Sequence, residues 1–161
     1  MARALIVGCG CRGRSLGTEL ISRGWAVRGT SRDHAALAEI EAAGIEAVRA
    51  DPDRVGSVLE HVQGVTVVLW LLGTATGEEA ATVHGPRLER MLEKLVDSPV
   101  RGFVYEAAGT VDAAVLAGGS QLVREASERW RIPVRLIEAD PLQHERWLAA
   151  AMAAIEEVIS G

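Results

Sequence analysis

Cysteine, lysine and aromatic residues are scarce in this chain. Its 161 residues include two cysteines, one lysine, one tyrosine, one phenylalanine and four tryptophans. Cys9 and Cys11 stand two positions apart inside a glycine-rich turn, which is poor geometry for a mutual disulfide and indicates a reducing compartment. The four histidines, His34, His61, His84 and His144, are scattered without ligand spacing, so no metal site is expected. Positive charge is in deficit too. A net charge of −5 and a pI near 5.4 argue against nucleic-acid or anionic-membrane partners. No apolar run reaches the length of a membrane span, and glycine breaks the first apolar segment too early for a signal peptide. A cytoplasmic protein of one domain, residues 1–161, is the expectation, with 48% hydrophobic residues to build its core.

The informative stretch comes first. A short apolar run at residues 4–7 meets glycines at Gly8, Gly10 and Gly13, and Leu16, Leu20 and Ile21 follow at helical spacing. Strand, tight turn and helix are thus in the order that dinucleotide binding demands. The first glycine permits the turn, the second admits a pyrophosphate to the backbone, and the third lets the helix pack on the strand. The helix start offers unpaired N–H groups and a partial positive charge to phosphate. Arg12 and Arg14 sit in that first turn with no acidic neighbour, although each cation there opposes the helix dipole by about 0.3–1 kcal/mol. A bound anion would remove the conflict. Cys9 and Cys11 fill the turn; Cys11, at the helix start, could also be a reactive thiol.

A second strand at residues 26–29 leads to Thr30, Ser31 and Arg32, where this kind of fold chooses its cofactor. Arg32 lies nineteen positions past Gly13, and an arginine beside two hydroxyls suits the 2′-phosphate of NADP, with NAD the alternative. Asp33 is better placed as the N-cap of a helix over 35–43 than as a ribose acceptor. A strand over 45–50 ends at Asp51, which either approaches an adenine ring or caps a helix over 54–61. The apolar run 65–72 reads as a central strand covered on both faces, so Leu72, Gly73, Thr74 and Ala75 should border the cofactor. The polar stretch 76–82 is either a cover over the site or a surface connection. A helix over 86–96, a strand over 102–108, a helix over 121–130, a strand over 134–137 and a helix over 145–159 complete two mononucleotide-binding halves.

Leu5 to Gly10 with Gly13, the stretch from Gly29 to Arg32, Ala50-Asp51, and Val100 to Tyr105 with the small residues after it resemble the extended and atypical short-chain dehydrogenase/reductases, including the NAD-dependent epimerase/dehydratase-like proteins. The resemblance implies an α/β Rossmann domain, a doubly wound parallel sheet of about six strands ordered 3-2-1-4-5-6 with helices on both faces. It also implies that Gly8, Gly10 and Gly13 hold the phosphates, that Arg32 takes the 2′-phosphate and that Asp51 nears the adenine. A homodimer through the helices near Met91 and Val123 is implied as well.

The family's catalytic residues are not matched. Ala107 and Ala108 stand where its serine is expected, Tyr105 lies inside a strand, and Lys94 lies in the preceding helix. Asp112 and Leu116 occupy the positions of its tyrosine and lysine, and the substrate region after the sixth strand is not present. Three functions fit: an NADP(H)-dependent sensor or regulator, which these departures favour; an NADPH-dependent reductase of unusual mechanism, with His84, Glu106, Asp112 or His144 moving protons; and a structural module that no longer binds nucleotide.

Overall fold

Strands and helices alternate along almost the whole chain. A computed structural model describes residues 2–160, and its elements are β1 (Arg3–Val7), α1 (Cys11–Ser22), β2 (Ala26–Ser31), α2 (His34–Ala42), β3 (Glu46–Arg49), α3 (Val55–Leu59), β4 (Val67–Trp70), α4 (Glu79–Val83), α5 (Pro86–Leu95), β5 (Gly102–Glu106), α6 (Ala113–Trp130), β6 (Val134–Ile137) and α7 (His144–Ser160). The strands form one sheet in the order β3-β2-β1-β4-β5-β6. Every neighbouring pair is parallel. This is the α/β Rossmann topology that the motifs imply.

Strand periodicity sorts the core into two layers, because successive side chains leave opposite faces of a sheet. Ala4, Ile6, Val67, Leu69 and Val104 pack with Leu16, Leu20, Ile40, Trp147 and Ile155 of α1, α2 and α7. Leu5, Val7, Val68, Trp70, Phe103 and Tyr105 pack with Val58, Leu88, Met91 and Val123 of α3, α5 and α6. Both faces of β1, β4 and β5 are therefore covered, which is why residues 4–7 of β1 and the whole of β4 are apolar. Met91 and Val123 are fully buried within the protomer, and the outward residues beside them, among them Arg90, Glu93, Arg124 and Glu128, are charged.

Two elements differ from the sequence reading. Helix α6 starts at Ala113 rather than near residue 121, with Asp112 Oδ1 accepting from the Ala114 amide at 2.8 Å as its cap. Gly119, inside this helix, makes room for a strand side chain, since a Cβ there would strike the Tyr105 hydroxyl. The polar stretch after β4 contains a short helix, α4, that the sequence reading left unstructured.

The sheet order reverses between β1 and β4. A crevice opens there beyond the carboxyl ends of the strands, and it is bounded by the loops after β1, β2 and β4.

Candidate functional site

The turn after β1 is stitched to the end of β2. Gly8 donates its amide to Thr30 Oγ1 at 3.2 Å, Cys9 to the Thr30 carbonyl at 3.0 Å, and Gly10 to the Gly8 carbonyl at 2.9 Å. Gly8 has φ +83°, and a Cβ on it would lie 2.6 Å from the Leu71 carbonyl oxygen, so only glycine fits. Gly13 brings α1 against β1, where an added Cβ would lie 3.1 Å from Ile6 Cγ2.

Gly10 is different: a Cβ there would meet nothing within 4 Å, because this residue faces the crevice. It is the N-cap of α1, with no side-chain cap and no acidic residue in the first turn. The first helical bond runs from the Arg14 amide to the Gly10 carbonyl at 2.8 Å, and the amides of Cys11, Arg12 and Gly13 have no partner among the described residues. Three N–H groups without a protein partner thus lie in the first turn, at the positive end of a twelve-residue helix.

The crevice has a volume of about 320 Å³ and is lined by Gly8, Cys9, Gly10, Thr30, Ser31, Arg32, Leu72, Thr74 and Ala75 of the residues expected from sequence, together with Ala36, Ala50, Pro52, Leu71, Thr76, Glu79 and Val83. Cys11, Arg12, Gly13, Asp51 and Gly73 are not among its walls. The cysteines divide by burial. Cys9 is 3% exposed, packed in the space that a side chain on Gly29 would need, and burial pushes its thiol up to about 12. Cys11 is exposed.

The polar residues at the rim have partners that the sequence did not reveal. Arg12 turns sideways into a bidentate pair with Glu106, Nη2 to Oε1 at 2.7 Å and Nε to Oε2 at 3.1 Å, while Nη1 reaches Thr74 Oγ1 at 3.4 Å. Its guanidinium also lies over the Trp147 ring, 5.5 Å from the centroid. Arg14 pairs with Glu39 at 3.3 Å. A carboxylate of the protein, Glu106, therefore offsets the charge of Arg12 in this structure. Thr30, 1% exposed, spends its hydroxyl on the Gly8 amide, and Ser31 Oγ accepts from the Asp33 amide at 3.1 Å. Asp33 caps α2 through the Ala35 amide, as expected. Asp51 does not cap α3: Oδ1 accepts from the Asp53 amide at 2.9 Å in a local turn, and the N-cap is Arg54. Arg32 reaches across the crevice mouth to an ion pair with Glu79, the first residue of α4.

Glu106 sits at the carboxyl end of β5 with no exposure at all. Besides Arg12, it accepts from the Gly73 amide at 2.8 Å on Oε1 and from Trp147 Nε1 at 2.9 Å on Oε2. Four donors satisfy both oxygens and tie α1, the loop after β4 and α7 to the sheet. A second buried pair lies next to it. His84 Nε2 contacts the Leu72 carbonyl at 2.7 Å, which requires a proton on Nε2, so Nδ1 accepts from the Tyr105 hydroxyl at 2.6 Å. Burial pushes the His84 pKa down and the Tyr105 pKa up, leaving both neutral. A glutamate at the end of an apolar strand and an arginine in an acid-free helix turn were the available signs of the first network. Nothing local marked Trp147 or the His84–Tyr105 pair. Of the other proton carriers considered, Asp112 is a helix cap and His144 is exposed at the start of α7.

A second hollow of about 350 Å³ adjoins the first, sharing Thr74 and lined by Ala108, Gly109, Thr110, Glu138, Asp140, Pro141 and Leu142. Among the described residues no cluster of three or more His, Cys, Asp or Glu could hold a metal ion, and no helix is long and apolar enough to cross a membrane.

A family model described as NAD(P)H-binding matches residues 8–127. No curated protein matches the sequence. Among solved structures, UDP-glucose 4-epimerase from Thermotoga maritima superposes with a TM-score of 0.69 at 13% identity, over 83% of this chain and 54% of the epimerase. The dTDP-glucose 4,6-dehydratase of Bacillus anthracis, solved with NAD, gives 0.68 at 12% identity, over 84% of this chain and 53% of that one. A short-chain dehydrogenase/reductase superfamily protein from Agrobacterium tumefaciens with bound NAD gives 0.68 at 18%, over 83% and 48%. The chain spans about half the length of these structures, and at such identities the likeness is one of fold. They are of the epimerase/dehydratase and dehydrogenase/reductase kind that the sequence motifs resemble. With a nucleotide-binding turn in place and the family match covering well over half of its length, the chain belongs to the NAD(P)H-binding family.

Proposed function

We propose that the protein binds NADP(H) in the crevice after β1 and acts as a cofactor-dependent sensor or regulator. The pyrophosphate rests on the amides of Cys11, Arg12 and Gly13, with Gly10 leaving it room, and Arg32 is within reach of a 2′-phosphate on the adenosine ribose. When bound, the nicotinamide supplies a hydride carrier; the chain's own residues decide whether that hydride has a use.

One observation carries the preference for a non-catalytic role. The ionisable groups at the ends of β4 and β5 are committed to one another: Glu106 is saturated by four donors, and Tyr105 donates to His84, which donates to a backbone carbonyl. Ala107 and Ala108, which follow Glu106, have no side chain able to move a proton. The hollow beside Thr74 favours a second reading, a reductase that holds a small acceptor next to the nicotinamide.

Nicotinamide fluorescence separates these readings. NADPH should bind about tenfold or more tightly than NADH, since a charge-assisted hydrogen bond contributes about 1.5–3 kcal/mol. Arg32→Ala should erase the difference. A panel of carbonyl, quinone and flavin acceptors should not oxidise NADPH above the protein-free rate; steady oxidation would replace the sensor reading with the reductase.

A further inference from the structure

We infer that Glu79 is a specificity-determining residue of the crevice: it holds Arg32 across the mouth and must let go before a 2′-phosphate can be gripped. The inference rests on the reading that a dinucleotide lies in the crevice with its adenosine ribose near Arg32. Arg32 follows β2 and Glu79 opens α4, 47 residues later, yet their side chains meet across the mouth that both line. Neither is buried, with side-chain exposures of 55% and 46%, so the pair can open without unfolding anything.

The charges facing Arg32 make Glu79 the controlling one. Its guanidinium is held in the charged form first by the hydrogen bond to Glu79, then by the fields of Glu79, Asp51 and Asp53. Asp53 already has a cationic partner, Arg87 at 3.2 Å. Asp51 is engaged with the Asp53 amide. Among the described residues Glu79 alone hydrogen-bonds Arg32, through Nη1, and a phosphate gripped by the guanidinium fork would compete for that N–H group. The consequence is selective: a ribose 2′-hydroxyl makes no claim on the fork, so Glu79 penalises the phosphorylated cofactor and leaves the unphosphorylated one alone.

Calorimetric titration of the full chain with 2′,5′-ADP and 5′-AMP reads the effect on the adenosine half alone. Glu79→Gln should tighten 2′,5′-ADP by about fivefold, the most that an exposed ion pair withholds, and leave 5′-AMP within about twofold. In an Arg32→Ala background the same substitution should change neither ligand. Tightening of 2′,5′-ADP that persists without Arg32 would show simple removal of negative charge and overturn the inference, as would equal tightening of both ligands. Weaker 5′-AMP binding would show Glu79 holding the ribose hydroxyl, and would overturn it too. If Glu79→Gln is silent while Arg32→Ala weakens 2′,5′-ADP, the role of Glu79 fails and the NADP reading stands. If the unaltered protein binds neither NADPH nor NADH, the underlying reading itself fails.

Discussion

Glu106→Gln changes almost no volume, yet it should destabilise the protein strongly. Each carboxylate oxygen accepts from two donors: Arg12 Nη2 and the Gly73 amide on one, Arg12 Nε and Trp147 Nε1 on the other. Whichever way the new amide is turned, its NH₂ confronts two donors where an oxygen accepted both. Each buried donor left without an acceptor costs about 1–3 kcal/mol. Arg12, 19% exposed, loses its counter-ion as well. The sum falls at about 3–5 kcal/mol, the range for breaking a buried pair from one side, against a total stability of about 5–15 kcal/mol. In urea unfolding followed by tryptophan fluorescence, a slope of about 2 kcal/mol/M converts this into a midpoint lower by about 1.5–2.5 M. Arg12→Ala in that background should add much less than it does alone, because the two groups form one network. A Glu106→Gln midpoint within about 0.3 M of the unaltered protein would refute the four-donor arrangement.

Three further outcomes are expected. Gly10→Ala should weaken dinucleotide binding at least about tenfold while moving the urea midpoint by less than about 0.5 M, since a Cβ there meets no protein atom within 4 Å and faces the crevice; unchanged binding by fluorescence titration would place the nucleotide elsewhere. A thiol-alkylating reagent at neutral pH should label Cys11 and leave Cys9 untouched until denaturant is added, because the Cys9 thiol is buried and pushed up to about 12; mass spectrometry showing equal labelling would contradict its placement. His84, whose pKa burial pushes below the ordinary 6.5, is neutral when folded, whereas the unfolded chain takes up a proton near 6.5. Its contribution is full above that value and is lost as pH falls through it, so the midpoint should drop more between about pH 7.5 and pH 5 in the unaltered protein than in His84→Gln. Parallel pH profiles would contradict it.

What could be read from the chain alone follows the range of the interactions involved. The opening turn was legible because each of its glycines answers a local demand: the positive φ of Gly8, the open face of Gly10, the close packing of Gly13 on Ile6. The central strands were legible because β1 and β4 are covered on both faces and so cannot carry polar side chains. Helix α6 extends further towards the N-terminus than its sequence showed, and the close approach of Tyr105 to Gly119 within it is a tertiary fact. The partners of the rim arginines were hidden for the same reason: Arg12 and Arg32 each hold a carboxylate from 94 or 47 residues away. Sequence separation of that size leaves no periodic trace.

The site itself is tested most directly by an amide-resolved ¹H–¹⁵N NMR titration with NADP⁺. The pyrophosphate should shift the signals of Cys11, Arg12 and Gly13 more than any others, because theirs are the amides without a protein partner at the start of α1. Saturating NADP⁺ that leaves those three signals in place would contradict a nucleotide seated on this helix.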